Sequence, residues 1–251
     1  MININKIYNQ DCIEGMKNIP DNYIDMVLCD LPYGTTQNKW DILIDLNALW
    51  NQYKRICKSN AAIILTAQTP FDKILGSSNI EWLRYEYIWV KNVASGFLNS
   101  HKMPLKVHEN ILVFYKEMPT FNPIMEEGKA YKVKQGSHGS NYGKQTYPVI
   151  TQNSGVRFPK DILYFNKEND NWHPTQKPVA LFEYLIRTHS NPSDIILDNC
   201  IGSGTTAVAC MNTKRNFIGF ENDPIYYEKC LERIDNMKPN EDIENKFLVS
   251  V

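Results

Sequence analysis

The chain has 251 residues, enough for one large α/β domain or a domain carrying an insert. Its hydrophobic content of 43% is sufficient for a substantial core, and its formal charge of −1 argues against a uniformly basic nucleic-acid coat without excluding a local basic patch. No apolar run reaches membrane-spanning length, Met1–Lys6 lacks a signal-peptide pattern, and the six cysteines form no C-x-x-C pair, so the expectation is a cytoplasmic protein with buried free thiols, no membrane association and no metal.

Strand patterns fall at Ile4–Asn9, Asp25–Cys29, Ala61–Ala67, Tyr85–Val90, Ile111–Tyr115, Ile195–Leu197 and Asn216–Phe220. Helical patterns fall at Leu46–Cys57, Pro70–Gly76, Pro178–Thr188, Thr205–Met211 and Pro224–Asn236. The first helix is marked by Leu46, Leu49, Trp50, Tyr53 and Ile56 at helical spacing, and Pro178 and Pro224 suit first-turn positions. Alternating strands and helices imply a doubly wound, mainly parallel sheet. Tyr85–Tyr115 holds two strand runs without a helix between them, which predicts an antiparallel hairpin at the sheet edge. Within it, Trp89 and Phe97 suit either a substrate crevice or, more commonly for such aromatics, the core. Lys91-Asn92 suits a nucleic-acid contact or simply an exposed strand end.

Residues 118–171 break the alternation. Between Lys129 and Lys160 there is no Asp or Glu, yet Lys129, Lys132, Lys134, Lys144, Arg157 and Lys160 are present, interleaved with aromatics and amides. This reads as a solvated loop or as a nucleic-acid contact module, cations meeting phosphates and amides meeting base edges.

Four predicted strands lead to acids: Asp11, Asp30, Asp198 and Glu221. One such acid is an ordinary helix cap, but four on one rim of a parallel sheet suggest a shared crevice. Asp30-Leu31-Pro32-Tyr33 brings a carboxylate, a backbone carbonyl, a rigid turn and an aromatic face to the end of a buried strand, parts that grip a flat ring bearing an amino group. Asp198 opens a turn containing Gly202, Gly204 and Thr205, whose glycines permit close backbone approach to a ligand. Glu221 ends the next strand, where a carboxylate accepts both hydroxyls of a ribose. Gly202-x-Gly204-x-x-Ala207 alone also fits a dinucleotide fingerprint, so a nicotinamide-dependent oxidoreductase is a rival. Asp198 disfavours it, because a carboxylate there repels a pyrophosphate and suits an ammonium or sulfonium.

Together these segments resemble the S-adenosylmethionine-dependent amino-methyltransferases of DNA. Asp30-Leu31-Pro32-Tyr33 resembles their (D/N/S)-P-P-(Y/F/W) tetrad, and Asp198–Thr206 their D-P-F-x-G-S-G-T-T loop. His173–Pro178 resembles H-P-T-x-K-P, Glu221-Asn222-Asp223-Pro224 the ribose-binding segment, and Asn9-Gln10-Asp11-Cys12 the adenine-binding one. The tetrad precedes the cofactor loop, as in the permuted β class. Leu31 stands where the family has a first proline but keeps the backbone carbonyl, and Asn199-Cys200 replaces Pro-Phe without removing a charge or glycine.

The resemblance implies a Rossmann-like methyltransferase fold, with a catalytic half in residues 1–117, a target-recognition insert in 118–171 and a cofactor half in 172–251. It implies catalysis by Asp30, Leu31, Pro32 and Tyr33. Asp11, Cys12, Asp30, Lys177, Asp198, Gly202, Gly204, Thr205, Glu221 and Asn222 then hold S-adenosylmethionine, released as S-adenosylhomocysteine. Lys177 meets the cofactor's carboxylate or caps the following helix, and His173 caps that helix. The implied substrate is double-stranded DNA with its target base flipped out. An Asp-started tetrad favours adenine-N6, with cytosine-N4 or an RNA adenine as alternatives, and a non-catalytic DNA-binding module as the reading from another class. Carbon-5 chemistry is disfavoured because no Pro-Cys dipeptide occurs, and Cys29 reads as a core thiol. A bacterial or phage origin, a homodimer and a cognate restriction endonuclease are further expectations of the resemblance.

Overall fold

The computed structural model describes residues 2–35, 41–135, 149–168, 172 and 176–237. Lys144, His173, Pro174, Thr175 and the Lys134 side chain lie outside this description. The described residues form two compact units, one drawn from Met1–Asn122 and Asp161–Asn240, the other from Pro123–Lys160.

In the larger unit, β1 (Lys6–Asn9), α1 (Cys12–Met16) and β2 (Ile24–Asp30) lead to α2 (Leu46–Ile56), β3 (Cys57–Ala67) and α3 (Phe71–Ser78). The long strands β4 (Leu83–Ser95) and β5 (Lys106–Phe114) follow. The smaller unit contributes β6 (Glu126–Glu127), β7 (Tyr131–Gln135), β8 (Val149–Asn153) and β9 (Val156–Arg157). The chain returns through β10 (Ile162–Tyr164), α4 (Val179–His189), β11 (Ile195–Asp198), α5 (Thr205–Asn212), β12 (Asn216–Glu221) and α6 (Pro224–Asp235).

Eight strands form one sheet in the order β1-β12-β11-β2-β3-β5-β4-β10. Neighbours from β1 to β3 are parallel, as are β4 and β10, while β5 runs antiparallel to β3 and β4. Strands 27–29 and 61–65 read as near-continuous apolar runs because both sheet faces are covered; Val27, Leu28, Cys29, Ile63, Ile64 and Leu65 are inaccessible. Helix α2 buries Leu49, Trp50, Tyr53 and Ile56, and Asp45 caps it by accepting the Asn47 amide at 2.9 Å. Helix α6 starts as expected, with Pro224 in its first turn behind the Asp223 cap.

The structure corrects several expectations. The β4–β5 hairpin is antiparallel but does not form the sheet edge, since β10 pairs outside β4. Three residues are too few to show a strand period, which hid β10. Both hairpin strands also extend well beyond their expected ends, to Ser95 and from Lys106. Pro178 is the residue before α4, with ψ 133°, not a member of its first turn. Trp89 is a core residue whose indole donates to the Phe165 carbonyl at 2.8 Å, whereas Phe97 is 63% exposed and belongs to neither core nor crevice.

In the smaller unit, Lys129 and Lys132 are exposed. Arg157 is engaged internally: its guanidinium lies 4.5 Å over the Tyr131 ring and donates to Asn153 Oδ1 and the Lys129 carbonyl. Lys160 pairs with Glu126 at 3.1 Å. Arg157 is therefore a tie within its own unit, while the exposed lysines keep their charges outward.

Candidate active site

Parallel register decides where the acids meet. Leu197 pairs with Val27, Leu197 with Ile218, and Asn9 with Glu221, so β1, β12, β11 and β2 end on the same rim. A cavity of about 640 Å³ lies there, a volume typical of small-molecule sites. Asp11, Cys12, Asp30, Leu31, Pro32, Lys177, Asp198, Gly202, Thr205, Glu221 and Asn222 line it. Tyr33 and Gly204 are not in the lining. Gly204 instead caps α5 with φ +85°, and a Cβ there would stand 2.5 Å from Cys230 Sγ.

At one end of the cavity, Asp30 is half-buried and closely held. Its Oδ1 accepts the Tyr33 hydroxyl at 2.7 Å and the Thr66 hydroxyl, and its Oδ2 meets Lys177 Nζ at 2.5 Å. The Tyr33 ring stacks on Phe71 with centroids 5.6 Å apart. Lys177 also lies 3.3 Å from Glu109, which pairs with Lys91 at 2.9 Å. Two carboxylates and two ammonium groups thus alternate through a nearly dry region. Burial pushes Glu109 up, but Lys177 and Lys91 outweigh it and hold the carboxyl at about 2. Burial likewise disfavours the charged Lys177, yet Asp30 and Glu109 keep it protonated above its ordinary range. Lys177 therefore does not cap α4. Glu168 does, accepting the Val179 amide at 2.6 Å.

At the other end, Asp198 is buried, with Oδ1 accepting the Cys200 amide at 3.0 Å and Oδ2 accepting the Thr206 hydroxyl. Burial raises its carboxyl to about 7. Among the described residues no cation lies within ion-pair distance of it, so a cationic ligand in the cavity would supply the missing countercharge. Glu221 accepts the Gly202 amide on Oε2 and the Asp223 amide on Oε1, both at 2.8 Å. Each oxygen retains acceptor capacity for ligand hydroxyls. Gly202, at φ +53°, has open space where a Cβ would sit. Asp11 caps α1 through the Glu14 amide at 3.0 Å while lining the cavity, so its capping and cavity roles coexist. An uncompensated carboxylate, a hydroxyl-accepting carboxylate and a glycine turn fit S-adenosylmethionine, with its ammonium, ribose and sulfonium.

Thr66, Glu109 and Tyr53 were not among the expected site residues, and Lys91, expected at a nucleic-acid contact or an exposed strand end, is instead buried against Glu109. Thr66 is the lone hydroxyl within the Ile63–Ala67 run, and Glu109 is an acid entering the apolar run Ile111–Phe114; a polar group on a buried strand is the signal by which either could have been found. Tyr53 donates to Asn199 Oδ1 at 2.5 Å, anchoring the Asp198–Gly204 turn from α2. Cys29 is inaccessible and burial lifts its thiol to about 12, as a core thiol requires.

The sequence profile of a family described as DNA methylase matches residues 24–232. The chain is 29% identical over 246 residues to the type II methyltransferase M.BglII of Bacillus subtilis, covering 90% of this chain and 67% of that protein. It is 28% identical to the DNA adenine methyltransferase YhdJ of Escherichia coli, covering 91% and 82% respectively. Among solved structures, the M1.HpyAVI–SAM complex superposes with a TM-score of 0.62 at 26% identity, covering 91% of this chain and 98% of that one. The cytosine-N4-specific PvuII methyltransferase shares the fold at 16% identity, with a TM-score of 0.67 and coverages of 93% and 88%. The chain belongs to the S-adenosylmethionine-dependent DNA amino-methyltransferases of the adenine-N6/cytosine-N4 type.

Proposed function

We propose that the protein methylates the exocyclic N6 of an adenine flipped out of double-stranded DNA. The observation that carries this reading is the single cavity lined by both Asp30 and the Asp198–Gly202 turn. S-adenosylmethionine, when bound, supplies a methyl group on a positively charged sulfur. Asp198 neutralises the ammonium of this donor and Glu221 takes its ribose hydroxyls. Asp30 accepts one hydrogen of the target amine and the Leu31 carbonyl accepts the other. Among the described residues no donor engages that carbonyl. Clasped from two sides, the amine nitrogen is favoured in a pyramidal form, with its lone pair turned toward the methyl carbon. Positioning of this kind provides most of the acceleration.

The carboxylate that clasps the amine is fixed by Thr66, Tyr33 and Lys177, so little reorganisation accompanies the step. Tyr33, with its ring on Phe71 and its hydroxyl on Asp30, is assigned to orient that carboxylate rather than to stack on the extruded base. Residues 118–171 are assigned to the DNA backbone and to target recognition, with Lys129 and Lys132 as outward-facing cations. Adenine is favoured over cytosine by the Asp-started tetrad and by similarity to YhdJ, named as an adenine enzyme. Modified-base sequencing of DNA from cells expressing the protein tests the assignment. N6-methyladenine at a defined motif is expected; N4-methylcytosine, or no modified base, would refute it.

A further inference from the structure

The β4–β5 hairpin overshoots the catalytic rim. Asp30 is level with Thr66 on β3, Thr66 with Ile111 on β5, and Ile111 with Tyr87 on β4. From that level β4 continues to Ser95 opposite Lys106, five residues along β5 from Ile111, so the paired hairpin reaches roughly 17 Å beyond at strand rise. The outer strand β10 stops pairing at Val90; past Lys91 the hairpin meets its surroundings through side chains, Asn92 Oδ1 accepting the Lys167 amide at 3.0 Å and Lys106 Nζ reaching Gln68 Oε1 at 3.4 Å. The tip turns at Gly96, φ +90°, into a single 3₁₀ turn, Phe97–Asn99. There Phe97 is 63% exposed and Leu98 completely exposed, with Met103 half exposed beside them. Residues 92–108 contain no Asp or Glu, while Lys102, Lys106, His101 and His108 are all exposed.

We propose that Phe97 and Leu98 form an apolar wedge that enters the DNA stack and fills the gap left by the extruded base, with Lys102 and Lys106 meeting the flanking phosphates. The inference rests on the duplex-DNA reading above and adds the element that pays for base extrusion. Two observations and the proposed chemistry select DNA as the occupant. The tip rises from the same rim as Asp30, its charge is of one sign, and the chemistry leaves an unstacked gap that apolar side chains fill in other DNA-bending proteins. A second copy of the chain is a poorer fit, because a one-turn tip is narrow against the ~800 Å² per partner of a stable interface.

The test is methyl transfer by the F97A/L98A double variant to a duplex with its target paired and to one with the target opposite an abasic site. The target motif comes from the sequencing described above. Both side chains are solvent-exposed, so the core is untouched. Since the abasic partner removes most of the cost of extrusion, kcat/KM should fall on the order of ten- to a hundredfold on the paired duplex and by under about threefold on the abasic one. An unchanged paired rate, or equal losses on both duplexes, would overturn the wedge; equal losses together with lost self-association would make the tip a contact between copies. Wild-type protein runs alongside. If it methylates neither duplex, the function reading fails and the wedge with it; if it methylates while the variant matches it, the wedge alone fails.

Discussion

Replacing Lys177 with methionine should destabilise the protein chiefly through charge. The ammonium sits 2.5 Å from Asp30 and 3.3 Å from Glu109, and its side chain is 6% exposed. Holding Glu109 at about 2 instead of 4.5 is worth roughly 3 kcal/mol at neutral pH. Lys177 shares that work with Lys91, so its loss should forfeit on the order of half, and the Asp30 pair adds to the cost because breaking a buried pair strands a carboxylate. The expected loss is about 2–4 kcal/mol at pH 7. The pH dependence gives the sharper check. Glu109 is depressed when folded, so its contribution is fully present above pH 4.5 and disappears as pH falls toward 2. The gap between wild type and Lys177→Met in urea unfolding should therefore be largest near pH 7 and shrink below pH 4.5. An equal loss at pH 7 and at about pH 2.5, where most of the Glu109 contribution is gone, would show that Lys177 acts through its alkyl stem, and a loss under about 0.5 kcal/mol would refute the network.

Two further outcomes follow from the cavity. Asp198 is raised to about 7, so between about pH 4 and 7 the folded protein keeps a proton there that the unfolded chain has already released. A cationic donor favours the ionised form, and calorimetric affinity for S-adenosylmethionine should weaken by up to about tenfold per pH unit below 7. A constant that is flat from pH 8 to pH 5.5 would mean another group meets the cation. Gly204→Ala should lower Tm and weaken cofactor binding together, because the added methyl lies 2.5 Å from Cys230 Sγ at a φ of +85°; an unchanged Tm would show that the α5 start yields easily.

What was readable in the sequence was whatever is contiguous along the chain. An apolar run ending in an acid marks both a buried parallel strand and its functional tip, so Asp30, Asp198 and Glu221 could be placed on one rim before any coordinates. Gly202 and Gly204 signalled positive-φ turns by residue type alone. Contacts between distant segments were not readable. Glu109 and Lys177 are brought together by β5 packing beside β3, and no local pattern encodes that pairing. The reach of the hairpin was missed for a related reason: beyond Lys91 strand β4 loses the alternating burial on which a sequence reading depends, and Phe97 looked like core because aromatics usually are. Lys91 was read as a surface cation because its counterion, Glu109, lies across the hairpin.

The central claim is that one cavity holds the methyl donor at its glycine turn and the acceptor amine at Asp30. Asp30→Ala separates the two functions in a single protein. Calorimetry with S-adenosylmethionine should still show saturable binding within about tenfold of wild type, while methyl transfer to DNA should fall by at least about a thousandfold. Methylation persisting near the wild-type rate would contradict the claim.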